Sequence, residues 1–146
     1  MTDDQYFAGT KVAARKTQAA GGLRNCAIPV RAVLFVDMAQ RIIDNGGLQY
    51  FYEVDFEEQG PYSDFVDAYR TIGAEDAASL LELSIQLFPF EDPHLHQTKR
   101  ERWLDRVRED ESHEFNDLSG KLIGHKGVFP KLKEFMARNG EHFNAT

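Results

Sequence analysis

Two histidines in a polar segment are the side chains of this protein best suited to metal binding. His94 and His96 alternate beside Glu91 and Asp92, and imidazole and carboxylate groups are both zinc ligands. Alternating histidines in a loop could bind zinc or nickel at the surface, but a working site needs a third ligand fixed in place. The sequence alone identifies no such ligand, so we interpret both histidines as solvated loop residues and predict no metal site and no cofactor.

The other reactive side chains do not form a catalytic pattern. His113 and Glu114 could act as an acid–base pair, but neither is tied to a nucleophile or an oxyanion donor. No serine has the flanking glycines of a nucleophile elbow, and Gly46-Gly47 lacks the Lys-Ser/Thr of a phosphate loop. The single cysteine, Cys26, has no activating base beside it and is interpreted as inert. The chain is therefore predicted to be a binding protein and not an enzyme.

The charge of the 146-residue chain is distributed unevenly. Its net charge is −7, to which residues 1–34 contribute +3, residues 35–97 contribute −11 and residues 98–146 contribute +1. An acidic surface repels nucleic acid and attracts basic proteins, so we predict a basic protein partner and no direct nucleic-acid binding. The alternative interpretation is that the acidic middle of the chain only maintains solubility.

No segment has the pattern of a signal peptide or a membrane span. The N-terminus lacks the apolar run of a signal peptide, and no stretch approaches the ~20 apolar residues that cross a bilayer. A lone cysteine excludes an internal disulfide, which many small secreted domains carry. The expected location is the cytoplasm, with no membrane contact.

Apolar residues spaced by three and four positions predict an all-α fold, a single compact domain of about six to seven helices. A first helix from Asp3 or Asp4 to about Ala20 carries most of the N-terminal basic excess, and Gly21-Gly22 follows it as a boundary. We therefore divide the chain into an N-terminal arm at residues 1–28, loosely attached, and a helical domain at residues 29–146.

Turn residues divide the domain into helices. One helix begins near Pro29 and stops at Asn45-Gly46-Gly47, and residues 48–52 are predicted to be helical as well. The helix over residues 75–88 has apolar residues on most sides and is predicted to be central and well buried. A later helix mixes positive and negative side chains at helical spacing, so its arginines, Arg100 included, are predicted to lie on a solvated, ion-paired face.

From Asn45 onward the chain resembles a known family. The motif Asn-Gly-Gly-x-Gln-Tyr-Phe, then a helix ending in Ile72-Gly73-Ala74, then a helix ending in Phe88-Pro89 resemble the bacterial DNA-mimic protein family, also classified as a domain of unknown function. The similarity runs over about residues 34–143. It implies an all-helical fold and is compatible with a homodimer. It also implies a role in transcription regulation, in which an acidic surface imitates duplex DNA and occupies the nucleic-acid-binding face of a basic partner such as a transcription factor.

The resemblance points to the acidic residues in the middle of the chain as the partner-binding site. Duplex DNA presents about one charge per 1.7 Å of its axis, so a mimic must hold carboxylates at comparable spacing on a rigid surface. The predicted partner-binding residues are Asp37, Asp44, Glu53, Asp55, Glu57, Glu58, Asp64, Asp67, Glu75, Asp76 and Glu82.

A second candidate site lies at the motif itself. Asn45, Gln49 and Tyr50 follow a sharp turn, where they could line a groove or could hold two helices together as buried hydrogen-bonding residues. Two alternative functions stand beside DNA mimicry. One is an immunity or antitoxin-like inhibitor of a toxic enzyme, which shares the acidity. The other is a small-ligand-binding module with a pocket near residues 45–52.

Overall fold

The computed structural model describes residues 1–56 and 60–144. Along these residues run α1 (Asp3–Ala20), α2 (Ile28–Glu53), α3 (Ser63–Thr71), α4 (Glu75–Gln86), α5 (Gln97–Arg108), α6 (Glu114–Leu122) and α7 (Val128–Arg138). Short 3-10 turns lie at Leu23–Asn25, Pro93–Leu95 and Gly140–His142. The described residues contain no strand, so the predicted all-α, single-domain fold is confirmed. None of the described helices is both long and apolar enough to cross a bilayer.

The first helix is capped at its start and packs along its length. The Gln5 backbone N–H donates to Thr2 Oγ1 at 3.1 Å, and the Thr2 N–H donates to the Gln5 side chain at 2.8 Å. This reciprocal pair is a capping box, so Thr2 caps α1, which begins at Asp3. Tyr6 and Val12 are buried, and α1 contacts α2 and α7. The division of the chain after residue 28 stays a prediction.

The centre of the domain is α2 and not α4. α2 packs against α1, α3, α5, α6 and α7, and its residues Val36, Ala39 and Ile43 have no exposed surface. α4 packs chiefly against α3 and α6, and its Leu83 is 46% exposed. The prediction of a central helix at residues 75–88 is therefore wrong. The reason is length, because a helix of 26 residues offers more surface to its neighbours than one of 12.

A glycine divides α2 into two segments. Gly47 has φ 72° and ψ −170°, a backbone region that is essentially restricted to glycine. The backbone N–H of Leu48 donates to Ser119 Oγ of α6 at 2.9 Å, which fixes the second segment against its neighbour. The break predicted at Asn45-Gly46-Gly47 is therefore confirmed at Gly47, and the predicted helix at residues 48–52 is confirmed as the second segment.

This second segment supplies the aromatic centre of the core. Phe51 and Tyr52 are fully buried. The Tyr52 ring meets Tyr62 at 4.8 Å and Phe88 at 4.9 Å, both edge to face, a geometry that adds about 0.5–1.5 kcal/mol per pair beyond burial. The Tyr52 hydroxyl also shares a hydrogen bond of 2.6 Å with Ser84 Oγ. The motif residues after the kink therefore join α2 to α4 and to the segment that precedes α3.

A buried amide connects α2 to α3 and α6. The Gln40 side chain is fully buried, and its Nε2 donates to the Leu122 carbonyl oxygen at 3.0 Å and to Asp44 Oδ1 at 2.8 Å. The Tyr69 hydroxyl donates to Gln40 Oε1 at 2.9 Å. Burial raises the pKa of the Tyr69 hydroxyl, so this donor keeps its proton.

Replacing Gln40 with leucine is expected to lower the free energy of unfolding by about 2 kcal/mol, because the Tyr69 hydroxyl and the Leu122 carbonyl lose a buried partner. Urea unfolding followed by circular dichroism measures the change. Tyr69→Phe removes the orphaned hydroxyl, so the double variant Gln40→Leu/Tyr69→Phe should be more stable than the sum of the two single effects. Additive effects would contradict the network.

Candidate protein interface

The predicted partner-binding acids lie in several regions of the described surface, and many of them have partners within the chain. Five occupy α3 and α4, two lie along α2, and two lie at its C-terminal end. Glu57 and Glu58 lie outside the described residues. In chain order the described acids are Asp37, Asp44, Glu53, Asp55, Asp64, Asp67, Glu75, Asp76 and Glu82.

The two acids along α2 are engaged in structural contacts. Asp37 accepts hydrogen bonds from the Tyr6 hydroxyl and from Arg41 Nε, the latter at 3.1 Å. Burial, helped by this bond to a carboxylate, raises the pKa of Tyr6. Asp44 Oδ1 accepts from the backbone N–H of Gly124 at 2.7 Å. These two carboxylates therefore hold α1 and the end of α6 onto α2.

The two acids at the C-terminal end of α2 pair with arginines of α5. Arg108 Nη2 lies 2.7 Å from Glu53 Oε1, and Arg100 Nη2 lies 2.8 Å from Asp55 Oδ1. Both carboxylates are partly exposed, Asp55 at 53%. Their charges are therefore matched within the chain, which lowers the net negative charge at this end of the molecule.

Arg100 is a buried residue, so its predicted place on a solvated face is wrong. Its side chain is 1% exposed and donates to the carbonyl oxygens of Tyr52 at 3.2 Å, Pro93 at 2.8 Å and His94 at 3.1 Å. The signal for this burial was spacing, because Arg100 shares a helix face with Trp103, three residues later. Its guanidinium fixes the turn before α5 against the end of α2.

The remaining five acids form what we call the α3–α4 acidic face: Asp64, Asp67, Glu75, Asp76 and Glu82. Arg24 pairs with Asp64, and Arg70 pairs with Glu75 at 3.4 Å and with Glu82 at 3.1 Å. Hydrogen bonding to Arg70 lowers the pKa of the Glu82 carboxyl, which keeps it ionised. Arg31 also lies here and lines one cavity with Asp64 and Asp67, so five carboxylates against three guanidiniums leave an excess of two negative charges.

Two members of this face are not paired with a cation among the described residues. Asp67 and Asp76 are both exposed. Asp67 and Asp64 line one small cavity of about 180 Å³, and Arg70 lies one helical turn beyond Asp67. Asp67 and Asp76 are therefore the carboxylates of the face best able to meet a positive charge from outside.

The motif residues Gln49 and Tyr50 line an open groove of about 520 Å³, which we call the Tyr50 groove. Its lining residues are Gly46, Gln49, Tyr50, Arg108, Glu111, Asn116 and Ser119. Tyr50 is 54% exposed and Gln49 is half-buried. Asn45 is exposed beside the groove and is not one of its lining residues. The buried hydrogen bond between helices is made instead by Tyr52, whose hydroxyl bonds to Ser84 Oγ of α4.

Several residues of these surfaces were not identified from the sequence. Arg24 and Arg70, which hold the α3–α4 acidic face, have no distinguishing motif, and Arg24 lies 40 residues from its partner. Asn116 and Ser119 reach the Tyr50 groove only because α6 packs on α2. Arg70 follows Asp67 by one helical turn, a spacing that commonly gives an ion pair, but it pairs instead with Glu75 and Glu82 of α4.

The other chemistry-bearing residues do not converge. Within residues 1–56 and 60–144, no three His, Cys, Asp or Glu side chains are placed to hold a metal ion. The Cys26 thiol is half-buried and contacts Thr17 Oγ1 at 3.4 Å. Burial raises the pKa of Tyr62 to about 12, and this residue lies in the core, away from the groove-lining residues.

Comparison with known proteins identifies the family of the chain. The family model described as DMP19-like protein matches residues 25–139, which covers the motif, the α3–α4 acidic face and the Tyr50 groove. No curated protein and no solved structure gives a significant match. The resemblance to the bacterial DNA-mimic family is thereby confirmed, and the chain belongs to the DMP19-like protein family.

Proposed function

We propose that this chain is a non-enzymatic, cytoplasmic interaction protein that occupies the nucleic-acid-binding face of a basic protein, such as a transcription factor, through its α3–α4 acidic face. Membership of the DMP19-like family supports a protein partner. The observation that carries the proposal is that Arg24 and Arg70 hold three of the five carboxylates in place, while Asp67 and Asp76 of the same two helices stay exposed and unpaired among the described residues.

Fixed carboxylates suit mimicry better than mobile ones. A basic surface that evolved to bind phosphates at regular spacing gains most from charges already held in place, because less side-chain entropy is lost on binding. Arg70 lies between Glu75 and Glu82 and restrains both. Asp67 and Asp76 then supply unpaired charge beside this restrained pair, and complementary charge steers association with a basic partner.

The test is a charge reversal on the face. A tagged chain is used to capture its partner from host lysate at low salt, and the purified partner is then titrated with duplex DNA and with the chain. We expect the chain and DNA to compete for one site and binding to weaken as salt rises. The variant Asp67→Lys/Asp76→Lys should bind at least about tenfold more weakly, because it places two positive charges opposite a basic surface.

A matched control changes the same net charge elsewhere. Asp4 is exposed in the first turn of α1, as Asp76 is in α4, and Glu91 is exposed in the loop after α4. The variant Asp4→Lys/Glu91→Lys should therefore bind nearly as tightly as the unchanged chain. Equal weakening by both double variants would show a general charge effect and contradict a defined face, and a captured partner that still binds DNA beside the chain would contradict mimicry.

A further inference from the structure

The Tyr50 groove has an aromatic side chain held in place at the surface. The Tyr50 ring lies over Gly46, one turn earlier on α2, so closely that a Cβ at Gly46 would overlap the ring. The ring is nevertheless 54% exposed. Exposed aromatic residues that are already fixed are characteristic of binding hot spots, because little conformational entropy is lost when they are covered.

The hydrogen-bond donors of this groove are already used within the chain. Asn116 Nδ2 donates to the carbonyl oxygens of Val107 at 3.0 Å and Asp110 at 2.8 Å. Gln49 Nε2 donates to Glu53 at 3.2 Å, and Arg108 donates to Glu53 at 2.7 Å. Asn116 therefore has no N–H group left to offer a ligand, and the charge of Arg108 is matched by Glu53 and by Asp105, whose Oδ1 lies 3.5 Å from Arg108 Nη1.

The acceptors, in contrast, are left over. Among the described residues no donor binds the amide oxygen of Gln49, the amide oxygen of Asn116 or the carboxylate of Glu111. An aromatic ring beside three unused acceptors, one of them charged, complements a planar cation that carries several N–H donors. A guanidinium has five such donors and stacks on aromatic rings, whereas an ammonium is a compact point charge.

From this arrangement we infer that the Tyr50 groove receives an arginine side chain of the basic partner, with the guanidinium against the Tyr50 ring and its N–H groups donating to Glu111, Gln49 and Asn116. The inference rests on the proposed function for the basic character of the partner. It adds a second contact, separate from the α3–α4 acidic face, that selects arginine over lysine.

The test uses the full chain and a minimal probe. N-acetyl-L-arginine methylamide is titrated into ¹⁵N-labelled protein, with N-acetyl-L-lysine methylamide as the comparison. We expect weak, saturable shifts centred on Gln49, Tyr50, Glu111 and Asn116, and weaker binding of the lysine probe. Tyr50→Ala and Glu111→Gln should each weaken the arginine probe about three- to fivefold, the range expected of one exposed cation–π or charge contact.

The control Glu91→Gln removes one exposed carboxylate outside the groove and should leave binding of the arginine probe unchanged. Shifts spread over the whole acidic surface, equal binding of the two probes, or no binding would each overturn the inference. These outcomes are distinguishable from failure of the proposed function. If Asp67→Lys/Asp76→Lys abolishes partner binding while the arginine probe does not bind, only the groove is wrong.

Discussion

Replacing Arg100 with methionine is expected to lower the free energy of unfolding by about 3 kcal/mol or more. The side chain is 1% exposed and donates to three backbone carbonyls, those of Tyr52, Pro93 and His94. Methionine retains much of the volume but removes the guanidinium donor from all three carbonyls, of which that of Pro93 keeps another donor, the His96 N–H at 3.2 Å. A hydrogen bond to a charged group contributes about 1.5–3 kcal/mol. Methionine avoids the desolvation cost of burying a guanidinium, so the net loss of stability is smaller than the lost hydrogen-bond energies added together. Urea unfolding with an unchanged m-value measures the difference.

Two variants separate the carbonyl contacts from the ion pair and from a general effect of removing charge. Arg100 is buried but Asp55 is 53% exposed, so water can partly replace the carboxylate, and Asp55→Asn should cost clearly less than Arg100→Met. Arg102 is exposed on the same helix, so Arg102→Met should leave the urea midpoint nearly unchanged. If Asp55→Asn were as destabilising as Arg100→Met, the ion pair and not the carbonyls would hold Arg100.

The helical fold was predictable from the sequence because its signals are local. Apolar residues at three- and four-residue spacing predict each helix, and a glycine after the last apolar position marks its end, as at Gly21. The break in α2 was predictable as well, because asparagine and glycine tolerate the left-handed backbone of a helix end. What the sequence does not reveal is the direction of the second segment, which is fixed by the bond from the Leu48 N–H to Ser119, 71 residues away in sequence.

The candidate interface was predictable only in part, because several of its ion pairs join residues that are far apart in sequence. Composition identifies which segment is acidic, but the free charge depends on pairs such as Arg24 with Asp64, which are distant in sequence. In the described structure Asp67 and Asp76 are unpaired, whereas Asp37 and Asp55 bind cations. Asp37 has a local signal, since Arg41 follows four residues later, but no local pattern distinguishes Asp55, whose cation is 45 residues away, from Asp67 and Asp76.

The pairing of its carboxylates limits how the protein could imitate DNA. Every phosphate of a duplex carries a charge, whereas the α3–α4 acidic face carries five carboxylates with two bound arginines. Charge alone then provides less affinity than duplex DNA has for the same partner. Under the proposed function, tight competition requires contacts of another kind, and the arginine contact proposed at the Tyr50 groove would supply one, because a stacked guanidinium is held partly by dispersion and weakens less with salt.

Replacing Gly47 with alanine is expected to destabilise the protein by about 3 kcal/mol. At φ 72° and ψ −170° a residue with a Cβ pays about 1–3 kcal/mol in backbone strain. The new Cβ would also overlap Ser119 Oγ and lie 3.3 Å from Ile123 Cδ1, which displaces the acceptor of the Leu48 N–H. Thermal or urea unfolding measures the loss of stability. In ¹⁵N-labelled protein the amide signal of Tyr50 should also shift, because the second segment of α2 turns relative to the first.

Two controls identify which cost dominates at this position. Gly120 is helical in α6, and a Cβ there meets no atom within 4 Å, so Gly120→Ala should stabilise the protein by about 0.5–1 kcal/mol. Adding Ser119→Ala to Gly47→Ala removes the overlap but not the strain. Full rescue by the second change would show that crowding alone requires glycine at residue 47, and no rescue would show that the backbone conformation does. A Gly47→Ala variant as stable as the unchanged chain would mean that the two segments of α2 do not depend on the kink at all.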